Sequence, residues 1–466
     1  MSKAALSGKY AAYPEYKDSG VEWVGSIPSS WEMWKLSHAY ELIGSGTTPT
    51  SNNEKWFQGD IPWITTGELR ENIITDTTKK VSPLTIETFT ALKIYPKGSI
   101  AIAMYGATIG RLGILGVDAT TNQACCVMTK SKVLKNKYLF YWLQAFKDDI
   151  VQLSSGGGQP NINQEKVAAL KISAPVLKEQ TQIAAFLDHE TAKVDTLIEK
   201  QQQLIELLKE KRQAVISHAV TKGLNPDVPM KDSGVEWLSE VPEHWDLPKL
   251  IHITKNIGDG LHSTPKYQDN TGYYFVNGNN LVNGQILIGS TAKEVPESEY
   301  DTHYVHLDSS TVLLSINGTI GNVAKYNNEQ IILGKSAAYM NCTDTISPDY
   351  LMLLLKTSEY RRYFDLEVTG TTISNLSLNS IRQMKTCTPP LVEQTEIVEY
   401  CHLNECKYNN LIESAQKAIN LMQERRTALI SAAVTGKIDV RHFTLEDGVA
   451  LTTNSDTNEA AQEATV

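Results

Sequence analysis

Three short stretches of the chain carry residues in an order that could do chemistry. Gly334-Lys335-Ser336 is the end of a nucleotide-binding loop, G-x-x-x-x-G-K-[ST], whose backbone amides cradle phosphates. The first glycine of that motif would fall at position 329, which is glutamate, so the loop cannot be built. Gly156-Gly157-Gly158 lacks the G-x-G-x-x-G spacing and runs into Gln159-Pro160 rather than into a helix. Thr388-Pro389-Pro390-Leu391 is the nearest approach to the Asn/Asp-Pro-Pro-aromatic loop of an amino-methyltransferase. It has neither the amide nor the stacking ring. There is no H-E-x-x-H and no G-x-S-x-G, and none of the 10 histidines has another four residues away. Asp148-Asp149 reads as a solvated helix face, and the 6 cysteines form no zinc or disulfide pattern, which suits reduced thiols used as small hydrophobes. These absences weigh against catalysis, although an active site built from distant residues stays open.

Polar loops suited to DNA are more plentiful. Base edges are read by Arg, Asn, Gln, Ser and Thr, while Lys, Arg and backbone amides grip phosphate. In the first half such loops are 44–49, 63–67, 105–111 and 121–123, the last carrying Asn122 and Gln123 as candidates. In the second half they are 258–266, 277–280, 317–319 and 334–336, with His262, Ser263, Thr264, Lys266, Asn277, Asn279, Asn280, Asn317, Thr319 and Lys335. Any one of these stretches could be an ordinary turn, since Gly and Asn favour turns whatever the function. Shared scaffold turns would also recur in both halves.

The elements that must position these loops follow from an internal repeat. Residues 17–36 (KDSGVEWVGSIPSSWEMWKL) return at 231–250 (KDSGVEWLSEVPEHWDLPKL), 214 residues later, with 11 of 20 positions identical. The same offset relates Glu179-Gln180-Thr181 to Glu393-Gln394-Thr395, Leu197-Ile198-Glu199 to Leu411-Ile412-Glu413, and Ala219-Val220-Thr221 to Ala433-Val434-Thr435. Between these segments the halves diverge, so two similar frames hold two different inserts.

Each half ends in a helical pattern. Ile183, Leu187, Glu190, Val194, Leu197, Gln201, Leu204, Leu208, Lys211 and Val215 alternate steps of four and three. So do Ile397, Cys401, Asn404, Tyr408, Leu411, Ala415, Ala418, Met422, Arg425 and Leu429. Such spacing marks a coiled coil, here of two helices of roughly 40 residues and roughly 60 Å. Ile183, Leu187, Val194, Leu197, Leu204 and Leu208 are predicted to pair with Tyr408, Leu411, Met422 and Leu429. The second frame begins almost at once after the first helix, so the second helix must run back antiparallel, giving a pseudo-twofold rod with an insert at each end. The polar seam positions Glu190/Asn404 and Lys211/Arg425 either set helix register or meet a partner. Short β-prone runs (61–66, 99–105, 272–276, 311–316) and helical patterns (137–146, 348–357) make the inserts mixed α/β domains.

At 466 residues the chain needs more than one core. It has no membrane-length apolar run and no secretory signal at its start, which points to the cytoplasm. Its net charge is −10, unevenly spread: 25 basic against 22 acidic residues over 1–222, 17 against 26 over 223–440, and 1 against 5 in the remainder. Phosphate binding depends on local patches, so this balance neither supports nor excludes DNA.

The framing segments, together with GSGTTPTSNNEKWFQGDIPWITTGEL, YGATIG followed by TTNQA, GGGQPNINQEKVAALKISAP, and EQTQIAAFLD leading to KRQAVISHAVTKGL, resemble the specificity subunits of Type I restriction–modification systems. The resemblance runs from about residue 13 to 440. It implies an α+β architecture: a first target recognition domain (1–177), a spacer helix (178–222), a second recognition domain (223–391), a second spacer helix (392–436) and a polar tail (437–466). It also implies that Thr47, Thr48, Trp63, Thr65, Tyr105 and Arg111 lie near double-stranded DNA, and that the target is split and asymmetric. The spacer would dock two methyltransferase (modification) subunits, which bring S-adenosylmethionine and methylate flipped adenine. Up to two ATP- and Mg2+-dependent restriction subunits would join, and this chain would bind no cofactor itself. The second half departs from the family pattern at GDGLHSTPKY, FVNGNN and Gly370-Thr371-Thr372, which leaves its contacts less defined. A self-contained methyltransferase and an adaptor that never touches DNA are the competing readings.

Overall fold

The computed structural model describes residues 10–50, 54–154, 161–289, 291–369 and 374–444. The triple glycine 156–158, its counterpart at 370–372 and the tail beyond 444 lie outside the described residues. The chain divides into two units. One holds the described residues up to Gln201 with those from Lys417 onward; the other is Gln202–Gln416.

The longest elements are helices Leu177–Lys222 and Leu391–Val434. Neither contains Gly or Pro; the first is rich in Leu, Ala, Glu, Gln and Lys and the second in Leu, Ala and Glu, residues that lose little on entering a helix. Gly223 and Gly436, with φ of 79° and 70°, end them in the left-handed conformation a helix C-terminus favours. No helix among the described residues is long and apolar enough to cross a membrane.

Within each unit the two helices run antiparallel. In the first unit Arg426 donates to Asp195 at 2.8 Å. Moving back to Gln182 on the first helix brings the carbonyl of Arg441, beyond the end of the second, at 2.8 Å. In the second unit Arg212 bonds Asn409. Further along, His218 shares a recess with Tyr400, which comes earlier on its own helix. These are one contact made twice, since Arg212 and Arg426 lie 214 residues apart, as do Asp195 and Asn409.

The seam read from the sequence needs correcting in its middle. Ile183, Leu187, Val194 and Leu429 are buried, and Leu208, Tyr408 and Met422 half-buried, but Leu197, Leu204 and Leu411 are 50%, 42% and 44% exposed. The inward positions there are Ile205 and Ile419, 7% and 3% exposed, with Ile198 and Ile412 half-buried. A seven-residue repeat drifts by ~20° per heptad on a 3.6-residue helix. Here the inward line moves on by one residue, from the leucines to the neighbouring isoleucines.

The repeated frame segments fasten each insert to these helices. Strand Tyr16–Asp18 pairs with Ser26–Pro28, and Met230–Asp232 with Glu240–Pro242. The strand pairs lead to Trp31 and Trp245, both fully buried, whose indoles donate to Glu179 at 2.9 Å and Glu393 at 3.1 Å. Gln180, wholly buried, accepts from the Lys135 amide and donates to the carbonyls of Val133 and Pro175. Gln394 repeats this with Ser347, Thr345 and Pro389. The Tyr138 hydroxyl donates to Val434 at 3.2 Å, and Tyr350 to Val220 at 2.9 Å. Burial holds both phenols far above their ordinary pKa, so they stay donors. Each insert is thus clamped between the start of the helix that follows it and the end of the helix from the other half.

Each insert is built around a larger and a smaller sheet, and the second adds the two-stranded pair of Leu281–Val282 and Gln285–Ile286. In the first unit, five strands run in the order Ile43–Ser45, Cys125–Met128, Ile100–Ala103, Leu112–Leu115, Asn72–Ile74, beside a three-stranded sheet of Thr120–Thr121, Ile61–Ile64 and Lys80–Val81. The second unit has Thr254–Asp259, Ala337–Cys342, Thr311–Ser315 and Val323–Lys325, beside Lys293–Glu294, Tyr274–Val276 and Ile331–Leu333. The central strands IAIA, CCVM and TVLLS are buried on both faces. Apolar helices Asn136–Ala145 and Pro348–Leu355 pack into the two main cores. The start of the expected polar tail is also corrected: Ile438 and Val440 are buried, and Phe443 meets Phe186 edge-on at 5.1 Å.

Candidate nucleic-acid interface

In the first unit the loop after Ile43–Ser45 crosses the neighbouring sheet so closely that a Cβ on Gly46 would run into the carbonyl oxygen of Thr121, and the Gly46 amide donates to the Thr121 hydroxyl at 3.1 Å. That crossing delivers Thr47 and Thr48. The Thr48 hydroxyl bonds Gln123, and the Asn122 amide donates to Ile64 at 2.9 Å. Strand 125–128 pairs with 100–103, and the Met104 amide donates to Ala124 at 2.8 Å, which sets Tyr105 beside Gln123. Arg111 follows across the next strand, its carbonyl accepting from Ala103 at 2.9 Å. Thr48, Gln123, Tyr105 and Arg111 therefore lie at one end of the five-stranded sheet. Arg111 makes no side-chain bond among the described residues.

Three candidates of this half are committed elsewhere. Trp63 is 4% exposed, donates to the Thr47 carbonyl at 3.2 Å and packs on Phe57 at 5.4 Å, so it supports the loop from below rather than presenting a surface. The Thr65 hydroxyl donates to Glu68, and the Asn122 side chain accepts from the Ala124 amide at 3.1 Å.

The second unit repeats the construction with other side chains. A Cβ on Gly260 would meet the carbonyl of Leu333, and the Leu261 carbonyl accepts from the Lys335 amide at 2.9 Å. Asn317 donates to the Lys335 carbonyl at 3.0 Å. His262 sits 2.8 Å from Asp259, and Ser263, Thr264, Lys266, Asn279, Thr319 and Lys335 are exposed. Asn280 is 1% exposed and locked to the Asn277 amide and Thr291, while Asn277 accepts from Ser336 at 3.0 Å. The two asparagines cap a turn, and Asn280 cannot reach a ligand.

Comparison with known proteins decides what this arrangement belongs to. The family described as "Type I restriction modification DNA specificity domain" matches residues 28–207 and again 243–415. The chain belongs to that family. It is a Type I specificity subunit with two DNA specificity domains, a recognition component rather than a catalytic one. It is 23% identical over 428 residues to the MjaVIII specificity subunit of Methanocaldococcus jannaschii, covering 90% of this chain and 95% of that one. It is 22% identical to the EcoKI specificity subunit of Escherichia coli, covering 89% and 90%. A solved chain from a type I R-M system superposes with a TM-score of 0.62 at 16% identity, covering 88% of this chain and 99% of that one. The HsdS subunit from Thermoanaerobacter tengcongensis gives 0.54 at 14%, covering 88% and 98%.

Within this specificity subunit, sequence reading missed Asn322. Its carbonyl accepts from Ser315 at 2.8 Å as Arg111's does from Ala103, so it holds the place of Arg111 in the second domain. The echo of Thr108-Ile109-Gly110 in Thr319-Ile320-Gly321 was the signal, one residue short of Asn322. The thiols of Cys126, Cys342, Cys387 and Cys401 are buried, and burial pushes them up to about 12.

Proposed function

We propose that the subunit reads a split, asymmetric DNA target, one half-site per recognition domain, and carries two methyltransferase subunits on its long helices. The observation behind this is the pair of side-chain rows. Equivalent places hold Thr48, Gln123, Tyr105 and Arg111 in one domain and His262, Lys335, Asn317 and Asn322 in the other. Domains that differ at the reading end and agree in their framework suit two unlike half-sites, roughly 34–36 Å or a multiple apart along the duplex.

Two equal docking places have support too. Leu197 and Leu421 in the first unit are 50% and 47% exposed, and their counterparts Leu411 and Leu207 in the second are 44% and 62% exposed. Exposed leucines that recur at the repeat offset suit one partner bound twice. On this reading S-adenosylmethionine, ATP and Mg2+ belong to the methyltransferase and restriction subunits, up to two of the latter join, and the complex works in the cytoplasm.

The test is to express the chain with its methyltransferase and map adenine methylation on random DNA. A split motif that depends on this chain supports the proposal. Association without sequence-specific methylation refutes it in favour of an adaptor. Methylation by the purified chain alone, given S-adenosylmethionine, would make it an enzyme in its own right.

A further inference from the structure

Beside each reading loop, on the three-stranded sheet, lies an arrangement that the loops' divergence has left untouched. In the first unit Lys79 Nζ stands over the ring of Phe57, 5.3 Å from its centroid, and Phe57 packs on Trp63 at 5.4 Å. In the second, Lys293 Nζ stands over Tyr267 at 4.6 Å, and Tyr267 packs on Phe275 at 6.5 Å. The register is the same. Lys79 lies across from Trp63, one residue from the Pro62–Lys80 pair, and Lys293 pairs directly with Phe275. Lys79 and Lys293 are 214 residues apart, the offset of the repeat.

Both lysines are exposed, and among the described residues neither ammonium pairs with a carboxylate. Their neighbours on the same strands are committed: Lys80 pairs with Asp76 at 2.9 Å, and the Glu294 carboxylate receives the Thr271 amide. A ring beneath an ammonium fixes it without neutralising it, leaving its N–H groups free to donate outward. Lys79 also borders a recess of about 460 Å³ together with Thr48, Gln58, Glu54 and Lys80, so it stands beside a candidate reading residue. Tyr267 follows Lys266 directly, at the end of the loop that carries Ser263 and Thr264.

We infer that Lys79 and Lys293 are matched anchors for the DNA backbone, each held on an aromatic ring beside its reading loop and gripping phosphate in the same way at both half-sites. The inference rests on the DNA-reading proposal. A residue that reads sequence should differ between domains built for different half-sites, whereas one that grips phosphate, which is the same everywhere, can stay fixed. These lysines are fixed.

The experiment measures duplex affinity of the assembled subunit–methyltransferase complex against salt, on specific and non-specific DNA, for the wild type, Lys79→Ala, Lys293→Ala, Lys79→Arg and Lys293→Arg. One phosphate contact contributes about 0.9 to the slope of log affinity against log salt. Each alanine variant is therefore expected to reduce by about 3.5-fold the affinity lost between roughly 50 and 200 mM salt. The reduction should be equal on both DNAs, with the methylation motif unchanged and the arginine variants retaining the wild-type slope. An unchanged slope in the alanine variants, a loss confined to specific DNA, or an altered motif would each overturn the assignment while leaving the reading proposal intact. A wild-type complex with no DNA affinity would overturn both.

Discussion

The first recognition domain presents Thr48, Gln123, Tyr105 and Arg111 from strands joined in the order that, in the second, presents His262, Lys335, Asn317 and Asn322. Beneath those rows the correspondence is close. Trp31 and Trp245 bond Glu179 and Glu393, Gln180 and Gln394 each bridge three backbone groups, and Tyr138 and Tyr350 reach the end of the opposite helix. The repeated residues are those whose side chains bond the backbone or the core, where an unsatisfied buried group costs about 1–3 kcal/mol. The divergent ones lie past the ends of strands, where a change costs the fold little. The molecule thereby separates the part that must stay from the part that can be exchanged.

If that separation holds, damage to one frame should stay in one unit. Trp31→Ala removes a fully buried indole and leaves Glu179 short of a donor, which is expected to cost about 3–5 kcal/mol. Amide exchange should rise across the first recognition domain and leave 250–390 protected, with Trp245→Ala giving the converse. Equal loss in both units from either substitution would show that the halves do not act as separate frames.

The helices offer a sharper contrast. Ile205→Ala, at a 7% exposed position, should cost about 2–5 kcal/mol, and Ile419→Ala a similar amount. Leu204→Ala, one residue away and 42% exposed, should stay within about 0.5 kcal/mol. Denaturant unfolding of these three variants decides the register of the seam. A larger loss at Leu204 than at Ile205 would restore the reading taken from heptad spacing alone.

How much of this was legible in the sequence follows from where each residue's partner lies. The frames repeat at 11 of 20 positions at one fixed offset, so the duplication could be read directly. The seam slipped because a fixed alternation of four and three was carried along a helix of about 3.6 residues per turn, so the inward line drifted onto the isoleucines beside the leucines. Trp63 came with the resemblance, and only the Phe57 ring and the Thr47 carbonyl show that it stands beneath the loop as a support. The Lys79–Phe57 and Lys293–Tyr267 pairs were invisible, since each joins residues more than 20 positions apart through a strand register no local pattern carries. Asn322 was nearer to hand, one residue beyond the echo of Thr108-Ile109-Gly110 in Thr319-Ile320-Gly321.

At the reading end, Arg111→Ala should relax discrimination at a single half-site by roughly 1–3 kcal/mol, the worth of one good base contact. Competition between duplexes altered in one half-site at a time measures this. A loss shared by both half-sites would count against one domain reading one half-site.

The smallest difference between the halves concerns a single charge. Arg426 makes a two-point contact with Asp195, at 2.8 and 3.3 Å, while Arg212 meets the neutral amide of Asn409. Asn409→Asp would copy the first half's ion pair into the second, and a half-exposed pair of this kind is worth about 0.2–1 kcal/mol. Asn409, however, stands between Glu405 and Glu413, each four residues away on the same helix, whereas Asp195 has Thr191 on one side and Glu199 on the other. Two like-charge pairs at that spacing cost roughly 0.2–0.5 kcal/mol each, which offsets the gain. Asn409→Asp alone should therefore leave stability within about 0.3 kcal/mol of wild type. Introduced on a Glu405→Gln background and compared with that background, it should stabilise by a few tenths of a kcal/mol, an effect that about 1 M salt erases. A full gain from the single substitution would mean that the flanking glutamates are not what keeps this position neutral in the second half.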